Sequence, residues 1–172
     1  MEISNSNKSW FALYTKPRCE FKAAGELQGL GIEHYLPSVT KLKQWSDRKK
    51  KVTEPLLRGY IFIFADEKER MISLENEYIV RCIFDHGRPA KIPDWQINNL
   101  KLFLTSNSDV EVTEGLLTGK KILIKDGPFE GVIGTIIDVK NEKSVAVSID
   151  LLNRTVVAHL PKESSFDLIK TE

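Results

Sequence analysis

The sequence predicts an α+β domain with a mostly antiparallel sheet and helices on it, followed by a small all-β barrel of five strands. Three observations carry this. Residues 9–104 mix strand-like runs with stretches at helical spacing, residues 116–172 hold only short strand-like runs, and a polar segment from Thr105 to Gly115 lies between them.

Ser9 to Tyr14 alternates as a strand, and Arg18 to Leu30 places Phe21, Ala24, Leu27 and Leu30 at helical spacing with Gly31 as a stop. Ile32 to Leu36 is strand-like, a basic polar stretch follows, and Gly59 to Phe64 is apolar enough for a central strand. Asp66 with Glu69 three residues on is the signature of a capped helix, which runs to about Asn76. Tyr78 to Phe84 returns as a strand, and a helix from Asp94 to Leu104 turns Ile97, Leu100, Phe103 and Leu104 inward to close the first domain. Residues 105–115 show no helical core face and are expected to be a linker that leaves two domains free to reorient. The barrel strands are expected at Lys121–Lys125, Val132–Val139, Ser144–Leu151, Thr155–Leu160 and Phe166–Ile169, with turns at Asn141-Glu142-Lys143 and Leu152-Asn153-Arg154. Residues 1–8 are polar and are expected to be a disordered lead.

Composition narrows the function classes. The hydrophobic content of 41% over 172 residues is that of a globular protein. No apolar run reaches the ~18 residues a membrane span needs, and with no secretory signal the chain is expected in the cytoplasm, with no membrane partner. Cys19 and Cys82, the two cysteines, and His34, His86 and His159, the three histidines, lack ligand spacing, so no metal and no cofactor is expected. The histidines have no nucleophile partner at a readable spacing, and the glycines after Asp126 lack the Lys-Ser/Thr of a phosphate loop, so an enzyme is not expected. The net charge of +1 conceals an asymmetry: residues 1–104 carry 17 Lys+Arg against 13 Asp+Glu, and residues 105–172 carry 8 against 11. The first half is the one suited to an anionic surface.

The most specific motif is Gly119-Lys120-Lys121-Ile122-Leu123-Ile124-Lys125-Asp126-Gly127-Pro128-Phe129-Glu130-Gly131-Val132-Ile133-Gly134, a strand, an Asp-Gly-Pro turn and a second strand. Gly131 and Gly134 sit where a strand must bend or admit another backbone. The run resembles a KOW motif, with Gly119, Gly127, Pro128, Phe129, Gly131 and Gly134 as its marks. Upstream, the segments Trp10 to Glu20, Gly31 to Pro37, Trp45 to Lys50, Glu54 to Ile63 and Gly87 to Pro93 together resemble the NusG N-terminal (NGN) domain in the order that family places them. Within the NusG family the Tyr-Thr-Lys-Pro-Arg opening, the Trp-Ser-Asp-Arg-Lys-Lys loop and the Gly-Arg-Pro-Ala-Lys-Ile-Pro turn are most similar to specialised UpxY-like antiterminators. Two departures stand out. Leu57 and Arg58 replace the family's aromatic and proline before Gly59-Tyr60, and Leu152-Asn153-Arg154 replaces its Phe-Gly-Arg hairpin.

The resemblance implies a transcription elongation and antitermination factor on long operons, with the N-terminal domain on the β′ clamp helices of RNA polymerase. Trp10, Leu57, Tyr60, Phe62 and Phe84 occupy the positions of the clamp-binding concavity. Strand alternation alone makes core residues of some of them, with Tyr60 and Phe62 on one face and Ile61 and Ile63 on the other. The basic stretch holds Lys41, Lys43, Arg48, Lys49, Lys50, Lys51 and Arg58, with Trp45 among them. Such a mixture suits phosphates and stacked bases, and is also what a solvated loop contains. The resemblance places this side near upstream DNA, and places Lys16, Arg18 and Lys22 where specialised relatives touch the non-template strand. Two other readings are a housekeeping NusG that couples polymerase to Rho or to a ribosomal protein, and a ribosome-associated KOW RNA-binding protein. The altered hairpin counts against the first and the net acidity of the second half against the other.

Overall fold

The computed structural model describes residues 7–105, 109–139 and 141–170. The chain divides into two compact units, Met1–Asp94 and Trp95–Glu172.

In the first unit the elements are β1 (Ser9–Thr15), α1 (Glu20–Gly29), β2 (Glu33–Tyr35), β3 (Ser38–Gln44), β4 (Lys49–Pro55), β5 (Tyr60–Ala65), α2 (Glu67–Ser73), β6 (Ile79–Cys82) and the two-residue strands β7 (Phe84–Asp85), β8 (Arg88–Pro89) and β9 (Lys91–Ile92). The main sheet runs β2-β5-β1-β6, with β9 also on β1, and all these pairings are antiparallel. β5 is an interior strand, as its apolar run requires. Alternation gives the sheet two different faces. Phe11, Leu13, Ile61, Ile63 and Ala65 pack with Ala23, Leu27, Ile32, Ile79 and Cys82 into the core. Trp10, Ala12 and Tyr14 point the other way and lie opposite Phe64, Phe62 and Tyr60.

α1 buries Glu20, Ala23 and Leu27, while the expected face residues Phe21 and Leu30 are exposed. The sheet takes the narrow alanine-lined side because Ala23 lets the helix approach closely. The Asp66–Glu69 capping box forms with both bonds: Glu69 N–H donates to Asp66 Oδ1 at 2.8 Å, and Asp66 N–H donates to Glu69 Oε2 at 3.0 Å. The basic stretch is itself ordered as the β3–β4 ribbon, whose strands pair only with each other. Its missing signal was apolar alternation, since lysines occupy both faces.

The second unit holds α3 (Asp94–Thr105) from its second residue on, followed by β10 (Glu111–Glu114), β11 (Lys120–Ile124), β12 (Ile133–Val139), β13 (Glu142–Ile149), β14 (Arg154–His159) and β15 (Phe166–Leu168). The five-stranded barrel is corrected to six antiparallel strands in the open order β10-β14-β13-β12-β11-β15. The sixth strand comes from the segment expected to be a linker. There Val110 is buried and residues 111–114 pair with β14, while Glu111 and Glu114 supply the charge that a sheet edge tolerates. Residues 106–108 of that segment lie outside the described residues, as do most of the lead over 1–8.

α3 differs from expectation in its company. Ile97, Leu100 and Phe103 are fully buried as the spacing predicts, but the helix groups with the second unit. The physical reason is a set of specific bonds. Asn99 accepts from the backbone N–H of Ile133 at 2.8 Å and donates to its carbonyl at 2.5 Å, so one side-chain amide satisfies both groups at the start of β12. One turn earlier Gln96 donates to Asp150 Oδ2 at 3.1 Å. Phe103 stacks on Phe129 with centroids 4.9 Å apart.

Candidate functional site

The face of the first sheet opposite its core is built almost wholly of rings. Alternation brings Trp10 and Tyr14 from β1 together with Tyr60, Phe62 and Phe64 from β5, and β2 adds Tyr35 opposite Phe62. Trp10 meets Phe64 at 5.3 Å, Tyr14 meets Tyr60 edge-on at 5.5 Å, and Tyr35 stacks on Phe62 at 6.3 Å. Burial pushes the Tyr35 hydroxyl far above the usual tyrosine range, so this phenol stays neutral.

Exposure divides the expected clamp residues. Trp10, Leu57 and Phe62 are buried, and Tyr60 is half-buried. Phe84 is 55% exposed on the separate β7–β8 ribbon opposite Pro89, so pairing does not bring it onto the aromatic face. Tyr14, Tyr35 and Phe64 belong to the face although the sequence reading did not name them. Parity with Trp10 along β1 gives Tyr14 and parity with Phe62 along β5 gives Phe64, whereas Tyr35 joins through the pairing of β2 with β5.

A cleft of about 630 Å³ in the same unit is lined by Tyr14, Thr15, Arg18, Phe21, Arg58 and Glu20 among others. Glu20 is buried there because its carboxylate accepts the Gly59 N–H at 2.8 Å. Gly59 itself has φ +82° and lies so close to the Tyr14 ring that a Cβ would stand 3.0 Å from it. The arginine that departs from the family pattern, Arg58, therefore borders an open cleft rather than the core.

The basic residues fall in two places. Lys16, Arg18 and Lys22 are exposed around the start of α1, with Lys22 Nζ over the Tyr78 ring at 5.5 Å. Lys41, Lys43, Lys49, Lys50 and Lys51 are exposed along the β3–β4 ribbon, and Trp45 and Arg48 sit in its turn, where Trp45 N–H donates to the Arg48 carbonyl at 2.8 Å. Lys43 pairs with Glu54, whose carboxyl is held below the usual range by that hydrogen bond, with Lys41 and Arg58 contributing. Lys50 Nζ lies over the Trp45 ring at 5.4 Å.

In the second unit the glycine-rich motif forms its turn between β11 and β12. Gly127 and Gly131 adopt φ +86° and +84°, where a side chain would be strained. Gly134 admits a neighbouring strand, since a Cβ there would meet Val145 at 2.5 Å and the Ala146 carbonyl at 3.0 Å. A Cβ on Gly119 would stand 2.3 Å from the Ile136 carbonyl. Pro128 is exposed and Phe129 buried. At the altered hairpin Leu152 is buried, and Asn153, at φ +51°, turns the chain into β14. Among the described residues no group of His, Cys, Asp and Glu is arranged to hold a metal ion. Among the described residues no helix is long and apolar enough to cross a membrane. Cys82 is buried and its thiol is pushed up by that burial, which leaves it unreactive.

A family profile described as "Transcription termination factor nusG" matches residues 8–101, more than half of the chain. Among solved structures the chain is similar to one of Thermotoga maritima, titled "Domain interaction in Thermotoga maritima NusG". The two are 22% identical over 89% of this chain and 94% of that one, with a TM-score of 0.48.

Proposed function

Since this chain belongs to the NusG family of transcription termination and elongation factors, which bind RNA polymerase, we propose that it is an antiterminator of long operons, similar to the UpxY-like members. In this reading the aromatic face receives the β′ clamp helices and the basic ribbon meets upstream or non-template DNA. The observation that carries the reading is the concentration of six aromatic side chains on one face of one sheet, of which Tyr14, Tyr35, Tyr60 and Phe64 keep partial exposure around the buried Trp10 and Phe62. Aromatic anchors in a desolvated pocket supply most of an interface's energy, and an apolar groove is what a helix pair requires.

The action is a population shift. A ligand that binds only the closed clamp stabilises it by its differential affinity for the two states, and the open, paused states lose population accordingly. The protein makes and breaks no bond in this scheme. The burial of Leu152 favours the specialised reading over coupling to Rho or a ribosomal protein through that hairpin, because the turn presents Asn153 and Arg154 rather than an apolar tip. The test is single-round transcription in vitro past an intrinsic terminator, with and without the full chain. Increased read-through is expected, and increased termination would contradict the antiterminator role while leaving polymerase binding intact.

A further inference from the structure

The β3–β4 ribbon has two chemically different faces, and their difference selects one of them. From the register, Val39, Lys41 and Lys43 share a face with Glu54, Val52 and Lys50, whereas Thr40, Leu42 and Gln44 share the other with Thr53, Lys51 and Lys49. The first face carries the one carboxylate of the two strands, Glu54, which pairs with Lys43 and would repel a phosphate, while the second face carries none. Val39, Val52 and Glu54 are only partly exposed, Lys43 is paired with Glu54, Lys41 adds to the field on the same carboxylate, and Lys50 lies over Trp45. Two lysines directly opposite each other repel, and Lys43 and Lys50 are such a pair, so those partners also relieve the strand pairing itself.

On the second face every residue from Thr40 to Gln44 and from Lys49 to Thr53 is exposed. Lys49 and Lys51 have no ion-pair partner among the described residues. Leu42, opposite Lys51, is 65% exposed between them and the Thr40–Thr53 hydroxyl pair, whose oxygens are 2.8 Å apart.

We infer that the Thr40-Leu42-Lys49-Lys51-Thr53 face of the ribbon is the surface that meets nucleic acid, and that its ligand is a duplex groove rather than a single strand. This rests on the proposed contact of the ribbon with nucleic acid and adds to it the face and the form of the ligand. A two-stranded antiparallel ribbon is of a width that the major groove admits. Uncompensated lysines release counterions on meeting phosphates, whereas a lysine already paired with a carboxylate gains less. A single-strand site needs rings on which bases stack. This face has none, and the one indole of the ribbon has Lys50 over its ring.

The test is fluorescence anisotropy with the full chain, a labelled 20-bp duplex and the matched single strand, across a salt titration. The outer double variant Lys49→Gln/Lys51→Gln should lose duplex affinity by about tenfold or more, and its salt slope should flatten by about 1.8, two contacts at ~0.9 each. The inner double variant Lys41→Gln/Lys50→Gln should change both by much less, and Lys49→Arg/Lys51→Arg should restore binding. Because all these side chains are exposed, the thermal melts should coincide with the unchanged chain. Equal or greater loss in the inner variant would overturn the choice of face and leave the ribbon's role standing. Equal or tighter binding of the single strand would overturn the duplex. No change in either double variant, nor in a variant lacking all five lysines, would overturn both the face and the nucleic-acid role.

Discussion

Residues on one strand of the aromatic face do different jobs, and their burial separates them. Phe62 is fully buried between Tyr35 and Ala12 on the flanking strands, whereas Tyr60, two residues before it on the same face, is half-buried and meets Tyr14 edge-on. Phe62→Ala is therefore expected to destabilise the fold by about 3–5 kcal/mol, the usual cost of emptying a buried phenyl site. A urea titration read by circular dichroism would check it, as a lower midpoint with unchanged slope. Asn99 is a second residue with a measurable role, because its amide alone pairs both backbone groups of Ile133. Asn99→Leu removes both part-buried bonds to Ile133, at about 0.5–1.5 kcal/mol each, and the same titration should show it.

Elements were legible where their signal was local. β1, β5, α2 and its capping box, and the glycine turn between β11 and β12 follow from alternation, an Asp-x-x-Glu cap and positions that only glycine occupies without strain. Three things were not local. β10 is a polar edge strand whose identity depends on β14 being beside it. The β3–β4 ribbon has no apolar face, so nothing in its periodicity separates it from a loop. α3 has a readable inward face, but the partner of that face is decided by Gln96 and Asn99 meeting Asp150 and Ile133, 54 and 34 residues away. The site shows the same division: the parity of Trp10 with Tyr14 and of Tyr60 with Phe62 was in the sequence, while the burial of Trp10 and Leu57 and the exposure of Phe84 were not. One consequence can be measured at this scale. A fragment of residues 95–172 is expected to unfold cooperatively and at a higher temperature than one of residues 109–172, because the shorter piece loses the Phe103–Phe129 stack and the Asn99 bonds. Equal melting temperatures would contradict the assignment of α3 to the second unit.

At the scale of the whole molecule, function is expected to divide as the charge and the rings do. The aromatic face and the basic ribbon both lie in the first unit, while residues 105–172 carry 8 basic against 11 acidic residues. Polymerase engagement is therefore expected of the first unit, and the second is expected to add a further partner or to govern access to the first. The measurement that bears most directly on the central claim is the affinity of the full chain for RNA polymerase with and without Tyr60→Ala. If the aromatic face is the clamp-binding surface, the variant should bind about 30-fold more weakly, the equivalent of a ~2 kcal/mol anchor, with its melting curve close to that of the unchanged chain. Undiminished affinity in a folded Tyr60→Ala chain would contradict the account.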